Sequence, residues 1–453
     1  MTDEKAGLLQ NFLGRLPEAA ASKLAQAVEM DRLMDGHGLP HDVILAGLRA
    51  SLLHSSRTQT PLRLFCQPFA DLLVSESRKG KQKAVIVRSS VVPVWAWLSS
   101  DLLANESQVY FRDAKALILS GKLDQAKILA RPYWAKAGAA MLQALASDAG
   151  IAAAKKRMSG DEISDAREMA LLLLEGAEMV KIQERLPKPL AHLTEDILWQ
   201  LRESYDALIV RNPDVAPFVA VVAMNRLQHP CEALRLPLMV SRQTNDALIS
   251  KTDMGLIGEI LFARMDALKV TIMATRHPLF DAETLMAQVG NFADLSSAVV
   301  KELEVRRDGE WGQRLLKDRT AIGDVMEGFM DRAAKEFSGA LPMHKGSGDF
   351  SKLTPADKRA MGLNYARLVA GTRNSAAAGS FAAKQKTAFD DISNHLRRYI
   401  EDAVREYKGC NAEKRATVES QLLYCAELAA FIFGLEEAEL VRRRTRAAQS
   451  AAA

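Results

Sequence analysis

The stretch Leu285-x-x-x-Val289-x-x-Phe292-x-x-Leu295-x-x-x-Val299-x-x-x-Leu303 decides the fold class. Its apolar residues recur at alternating steps of three and four, the period of one face of an α-helix and not of a strand. The same spacing returns in Ile322, Met326, Phe329 and Ala333, in Phe389, Ile392, Leu396, Tyr399 and Val404, and in Val418, Leu422, Cys425, Ala429 and Ile432. Helices with one apolar face must bury it on each other, so the expected fold is all-α, a multi-helix bundle or an irregular helical array.

Toward the N-terminus the same grammar continues with clear punctuation. Leu16-Pro17 opens a helix to Met34 that stops at Asp35-Gly36-His37-Gly38, and Pro40 opens a second through Ile44, Leu48 and Leu52, giving a helical hairpin. Ser159-Gly160-Asp161-Glu162 starts a helix expected to reach Arg185 before Pro187 and Pro189 break it. Thr194-Glu195 opens the next, and Asn212-Pro213 ends it. Thr354-Pro355 reads as an N-cap followed by proline at the first helical position, after a loop from Gly339 to Phe350.

The pattern Tyr110-Phe111-x-x-Ala114-x-x-Leu117-x-x-x-Gly121-x-x-x-x-Ala126-x-x-Leu129-Ala130 resembles one unit of a helix-turn-helix solenoid such as the tetratricopeptide repeat. It does not recur about 34 residues to either side, and a stacked array needs about three units. The resemblance is local and implies two short helices packed around Gly121.

One segment breaks the helical pattern. From Thr58 to Leu98 come Pro61, Pro68, a polar basic run over Ser75 to Lys83, and the β-branched run Ala84-Val85-Ile86-Val87-Arg88. A short β-hairpin within residues 60–90, pairing that run with Leu62 to Phe65, is expected. Trp95 and Trp97 follow, two apart on a helix and so about 200° from each other, which places one of them toward solvent or another layer. The organisation expected is an N-terminal helical domain over 1–150 carrying the basic, Pro-rich insert 58–98, a helical bundle region over 151–440, and a disordered basic tail over 441–453.

Composition narrows the function classes. Hydrophobic residues are 48% and charged residues 26% of 453, an ordinary globular balance, and aromatics at 6% with much Ala and Leu favour helix. The 60 basic and 56 acidic residues nearly cancel, so no whole-protein field attracts polyanions. No apolar run reaches the ~18 residues of a membrane span, the N-terminus lacks a basic region followed by an apolar one, and four scattered cysteines without C-x-x-C spacing suit a reducing, cytoplasmic setting.

Chemistry-bearing patterns are few. His37-Gly-Leu-Pro-His41, with Asp35 and Asp42 nearby, is the one metal-like motif, although Gly38 and Pro40 separate the imidazoles and no Glu follows His37. Phosphate-binding glycine loops are absent, and no cofactor is expected. Asp390-Asp391 and Glu436-Glu437-x-Glu439 sit among Lys and Arg as solvated ion pairs. Arg78, Lys79, Lys81, Lys83 and Arg88, beside Trp95 and Trp97, form the candidate polyanion- or partner-binding set. The leading expectation is a non-enzymatic scaffold, adaptor or regulator that binds a protein partner or a second copy of itself. Nucleic acid at 78–88 and a metal-dependent enzyme at His37 and His41 are the alternatives.

Overall fold

A computed structural model describes residues 18–33, 59–75, 81–242, 246–306 and 309–452, with scattered positions among 9–16 and 39–48. It is all-α. The chain divides into two compact units, Met1–Leu236 and Pro237–Ala453.

In the first unit, α1 is Glu18–Leu33, α2 Pro61–Phe65, α3 Val91–Trp97, α4 Ala104–Leu119, α5 Leu123–Leu145, α6 Asp148–Ala154, α7 Gly160–Leu174, α8 Gly176–Arg185, α9 Glu195–Arg211 and α10 Phe218–Arg226. The N-terminal hairpin forms where described: Leu13, Ala21, Ala25 and Leu48 share a small core with Ile44 and Leu45 against it. Its expected stop at Asp35 to Gly38, and Leu52, lie outside the described residues.

The centre of this unit is the pair α5 and α7. Ala126, Ala130, Trp134, Ala137, Met141 and Leu145 bury one face of α5. Small residues on that face let the backbones approach: a Cβ on Gly138 would lie 2.6 Å from the carbonyl oxygen of Ala170, inside contact distance. The expected break near residue 150 therefore falls within one compact unit, since α5 and α7 lie on either side of it.

Ser159 opens α7 with both halves of a capping box, its Oγ accepting from Glu162 N while Glu162 Oε2 accepts from Ser159 N at 2.7 Å. The single helix expected from there to Arg185 is two, broken at Glu175, whose φ of −102° and ψ of 25° leave the helical region; Gly176, next to it, packs where a Cβ would meet the Trp134 ring at 3.1 Å. Gly121, with φ of 75°, makes the turn between α4 and α5 as its sequence position predicts.

The insert corrects the sequence reading in two ways, and its two tryptophans meet the second of the expected alternatives, another layer rather than solvent. Leu62 to Phe65 is helical, not a strand. Strand β1, Leu73–Val74, pairs with β2, Ile86–Val87, in parallel, so the pair is not a hairpin. Trp95 and Trp97 are both buried. Phe65, Phe69, Trp95, Tyr110 and Tyr133 make an aromatic core, with Phe65 and Trp95 edge to face at 4.9 Å and the Tyr110 and Tyr133 rings stacked at 4.2 Å. Tyr110 donates to Pro61 O and Tyr133 bonds Ser107, so both buried hydroxyls are satisfied.

After α11, Arg235–Ser241, and α12, Asp246–Ile249, the second unit holds α13, Leu256–Ala274, α14, Ala282–Glu302, and α15, Glu310–Ala340. It then forms a hairpin of β3, Met343–His344, and β4, Ser347–Gly348, followed by α16, Ala356–Gly371, α17, Ala382–Gly409, α18, Ala412–Ile432, and α19, Leu435–Ala452. Most of the stripes read from sequence are in the core, with Leu285, Val289, Phe292 and Val299 of α14 and Leu303 just past it, Ile322, Met326, Phe329 and Ala333 of α15, Ile392, Leu396 and Tyr399 of α17, and Val418, Leu422, Cys425, Ala429 and Ile432 of α18; Leu295, Phe389 and Val404 are half-buried.

Three details differ in this unit. The loop before α16 contains the β3-β4 hairpin, turned by Lys345 and Gly346 with φ of 51° and 84°. Thr354 does not cap α16; buried, it accepts a bond from Gln421 Nε2 at 2.8 Å and ties the loop to α18. The tail over 441–453, expected to be disordered, is helical to Ala452, because Ala438, Val441, Thr445 and Ala448 bury a stripe against α17 and α18.

Candidate functional site

The acidic face of α7 sets the chemistry of the insert. Asp165 and Glu168, three residues apart and so neighbours on the helix surface, are both buried. Lys81 Nζ donates to Asp165 Oδ1, Glu168 Oε2 and Val85 O, each at 2.6 Å. The remaining carboxylate oxygens are also used: Glu168 Oε1 accepts from Ala84 N at 2.9 Å, and Asp165 Oδ2 accepts from Val87 N at 3.1 Å and Ser90 Oγ at 2.7 Å. Ala84 holds φ of 59°, a conformation an alanine adopts only under such constraint. Burial pushes the Glu168 carboxyl up from its ordinary range, outweighing the pull of Lys81 and the Ala84 amide.

A second anchor holds the other end of the segment. Asp71, buried, accepts from Arg226 Nε at 2.6 Å and Lys188 Nζ at 2.9 Å. Arg226 also donates to the carbonyls of Gln183 and Leu186 at the end of α8.

These contacts locate the residues singled out by sequence. Lys81 is half-buried, its ammonium taken up by Asp165, Glu168 and Val85 O rather than left free for a polyanion. Lys83 and Arg88 are exposed, Trp95 and Trp97 are in the core, and Arg78 and Lys79 lie outside the described residues. His41 Nε2 sits 2.9 Å from Asp31 Oδ2 of α1, an interhelical tie; His37, Asp35 and Asp42 lie outside the described residues. Among the described residues no group of three or more His, Cys, Asp and Glu is placed to hold a metal.

Other histidines also serve the scaffold. His277 Nδ1 bonds the Tyr365 hydroxyl at 3.1 Å, and His395 Nε2 donates to Leu341 O at 2.8 Å. A shallow groove in the first unit runs between α1, α2 and α4, lined by Met30, Pro61, Phe111 and Ile118 with Glu29 and Lys115 beside it.

What the sequence reading missed is on the surface. On α9, Trp199 is 56% and Val210 84% exposed. On α13, Val270 is 64% exposed, with Ala267 and Ala274 exposed at i−3 and i+4, and Leu279 just beyond the helix is 89% exposed. The signal for α13 was available, since Leu256 to Ala274 holds only four charged residues among its 19. No single helix among the described residues is long and apolar enough to cross a membrane.

Compared with protein families, with characterised proteins and with solved structures, the chain has no significant match.

Proposed function

We propose that this chain is a non-enzymatic interaction protein, a scaffold, adaptor or regulator of the cytoplasm, whose second unit associates with a second copy of itself through α13. The observation that carries the reading is the outer side of α13. Leu256, Ile257, Ile260, Leu261, Phe262, Met265 and Ile272 bury its inner side, and it packs on α14 and α15. Charged residues flank its outer side, yet along that side the apolar Ala267, Val270 and Ala274 face solvent.

Small side chains at steps of three and four allow a second helix to approach closely. The flanking charges are of both signs, with Lys269 bonded to Asp266 and Asp318 and Arg314 to Glu259 and Asp266. Such a mixed, self-neutralised border suits a two-fold interface between identical surfaces. The four cysteines are free thiols, as a reducing compartment maintains.

Among the described residues of the polyanion reading, Lys83 and Arg88 are the exposed ones, because Lys81 is held by Asp165 and Glu168 and both tryptophans are in the core. Light scattering of the full chain tests the proposal: a mass of two or more copies is expected, reverting to one copy in Val270→Glu. A strict monomer at tens of micromolar, with Val270→Glu unchanged in mass, overturns it.

A further inference from the structure

The outer stripe of α9 has a composition that α13 lacks. Asp196, Trp199, Glu203, Asp206 and Val210 follow one another at steps of three, four, three and four, so all five fall on one strip of the helix. All five are exposed, and the strip is diametrically opposite Leu201, Ser204, Tyr205 and Leu208, which pack inward. Three acidic and two apolar side chains thus share a line of about four helical turns.

Two properties of this strip point to a ligand. Trp95, Trp97, Trp134 and Trp311 are all at least 96% buried, so Trp199 is the one tryptophan of the five presented to water. A tryptophan buries more apolar area than any other side chain and is enriched at the energetic centres of protein interfaces. Its neighbours one turn away on either side are Asp196 and Glu203, with Asp206 beyond and Glu195 on the flank. Arg202, on that same flank, is paired to Asp206 Oδ2 at 3.4 Å and leaves the strip negative. A carboxylate-framed indole repels nucleic acid and anionic membranes, while a Lys or Arg over the indole gains both cation–π and ionic attraction.

We propose that the Asp196 to Val210 strip of α9 is a docking surface for a cationic, amphipathic segment of a partner protein, with Trp199 as its anchor. The partner's apolar side chains cover Trp199 and Val210, and its Lys or Arg residues reach Asp196, Glu203 and Asp206. This rests on the reading of the chain as an interaction protein but uses a different surface from α13, so a monomer that still binds at α9 loses the one proposal and keeps the other.

Because Trp199 is the exposed tryptophan, the intact chain reports its own occupancy. The probe is a synthetic amphipathic helical peptide with Leu on one face and Lys on the other, beside a version with Glu at every Lys. The Lys peptide is expected to shift emission to the blue and shield it from acrylamide, saturably, with affinity falling as salt rises. Fluorescence anisotropy of a labelled peptide then compares variants. Glu203→Lys with Asp206→Lys is expected to weaken binding by roughly tenfold or more, and Trp199→Ala by a similar factor. These positions are exposed, and circular dichroism checks that both variants stay folded. Equal binding of the Glu peptide, undiminished binding by the variants, or no saturable change with the Lys peptide each overturns the proposal.

Discussion

Lys81 and Asp165, 84 residues apart in sequence, meet at 2.6 Å beneath the surface, and the same ammonium reaches Glu168 at 2.6 Å. A lysine that composition assigns to a basic patch is in fact the rivet joining an irregular segment to α7. Removing one member of a buried ionic group leaves the others desolvated without a partner. Lys81→Met is therefore expected to destabilise the first unit by about 3 kcal/mol, near the low end for breaking a buried pair because the lysine is partly exposed. Adding Glu168→Gln to Lys81→Met should return part of that loss. Lys83→Ala and Arg88→Ala should stay within about 0.5 kcal/mol of the parent chain. Urea unfolding of the four variants measures this; an unchanged midpoint for Lys81→Met would mean the lysine is not a structural residue.

Trp95 gives a second separation of core from surface. It packs on Phe65, Tyr110, Phe111 and Tyr133 and is almost wholly buried. Trp95→Ala should cost about 3–5 kcal/mol, as large-to-small changes in aromatic cores do, and should lower the thermal midpoint sharply. Trp199→Ala, on the surface, should leave that midpoint nearly unchanged. A reversed ranking in calorimetry would contradict the burial of Trp95.

The contrast between these tryptophans shows what sequence could and could not carry. The helices were legible because burial of α14, α15 and α18 is written into residues one turn apart, such as Val289, Phe292 and Ile322, Met326. The insert was not, because its shape depends on Asp165 and Glu168, which lie far along the chain. Neither acid has a neighbour in sequence that reveals Lys81 as its partner. Two tryptophans two apart on an isolated helix must diverge, but α3 is enclosed on both sides, so both are buried. The docking strip on α9 was missed for the opposite reason: its Asp196 and Glu203 read as solvated charge until Leu201 and Leu208 fix which side of α9 is inside.

His395 predicts a dependence on pH. Burial holds its imidazole below the ordinary value of 6.5, outweighing the bond to Leu341 O, which favours the charged form. With the folded value depressed, the unfolded chain takes up the proton first on acidification. The contribution of this group is complete above pH 6.5 and is lost as pH falls through the folded value. His395→Gln keeps a donor for Leu341 O and does not titrate, so the fall in unfolding free energy between about pH 7.5 and about pH 5 should be smaller in it than in the parent. An equal fall in unfolding free energy between the two pH values in His395→Gln and in the parent, measured by chemical denaturation, would refute this role.

The thiols offer the most direct check of the packing. Thiolate, not thiol, attacks a disulfide reagent, so reactivity follows exposure and acidity together. Cys66 is buried and pushed up to about 12 by desolvation; Cys425 is buried and raised further by the same cause; Cys231 is also buried. Cys410, at the end of α17, is half-exposed, its Sγ facing Tyr407 O at 3.6 Å. An aromatic disulfide reagent at mildly alkaline pH should therefore modify one of the four thiols rapidly in the native chain and all four after denaturation. Cys410→Ser should remove the rapid phase. Two or more rapid thiols, or a rapid phase surviving in Cys410→Ser, would show that the cores around Cys66, Cys231 or Cys425 open on the timescale of the reaction, because no thiol can react while enclosed.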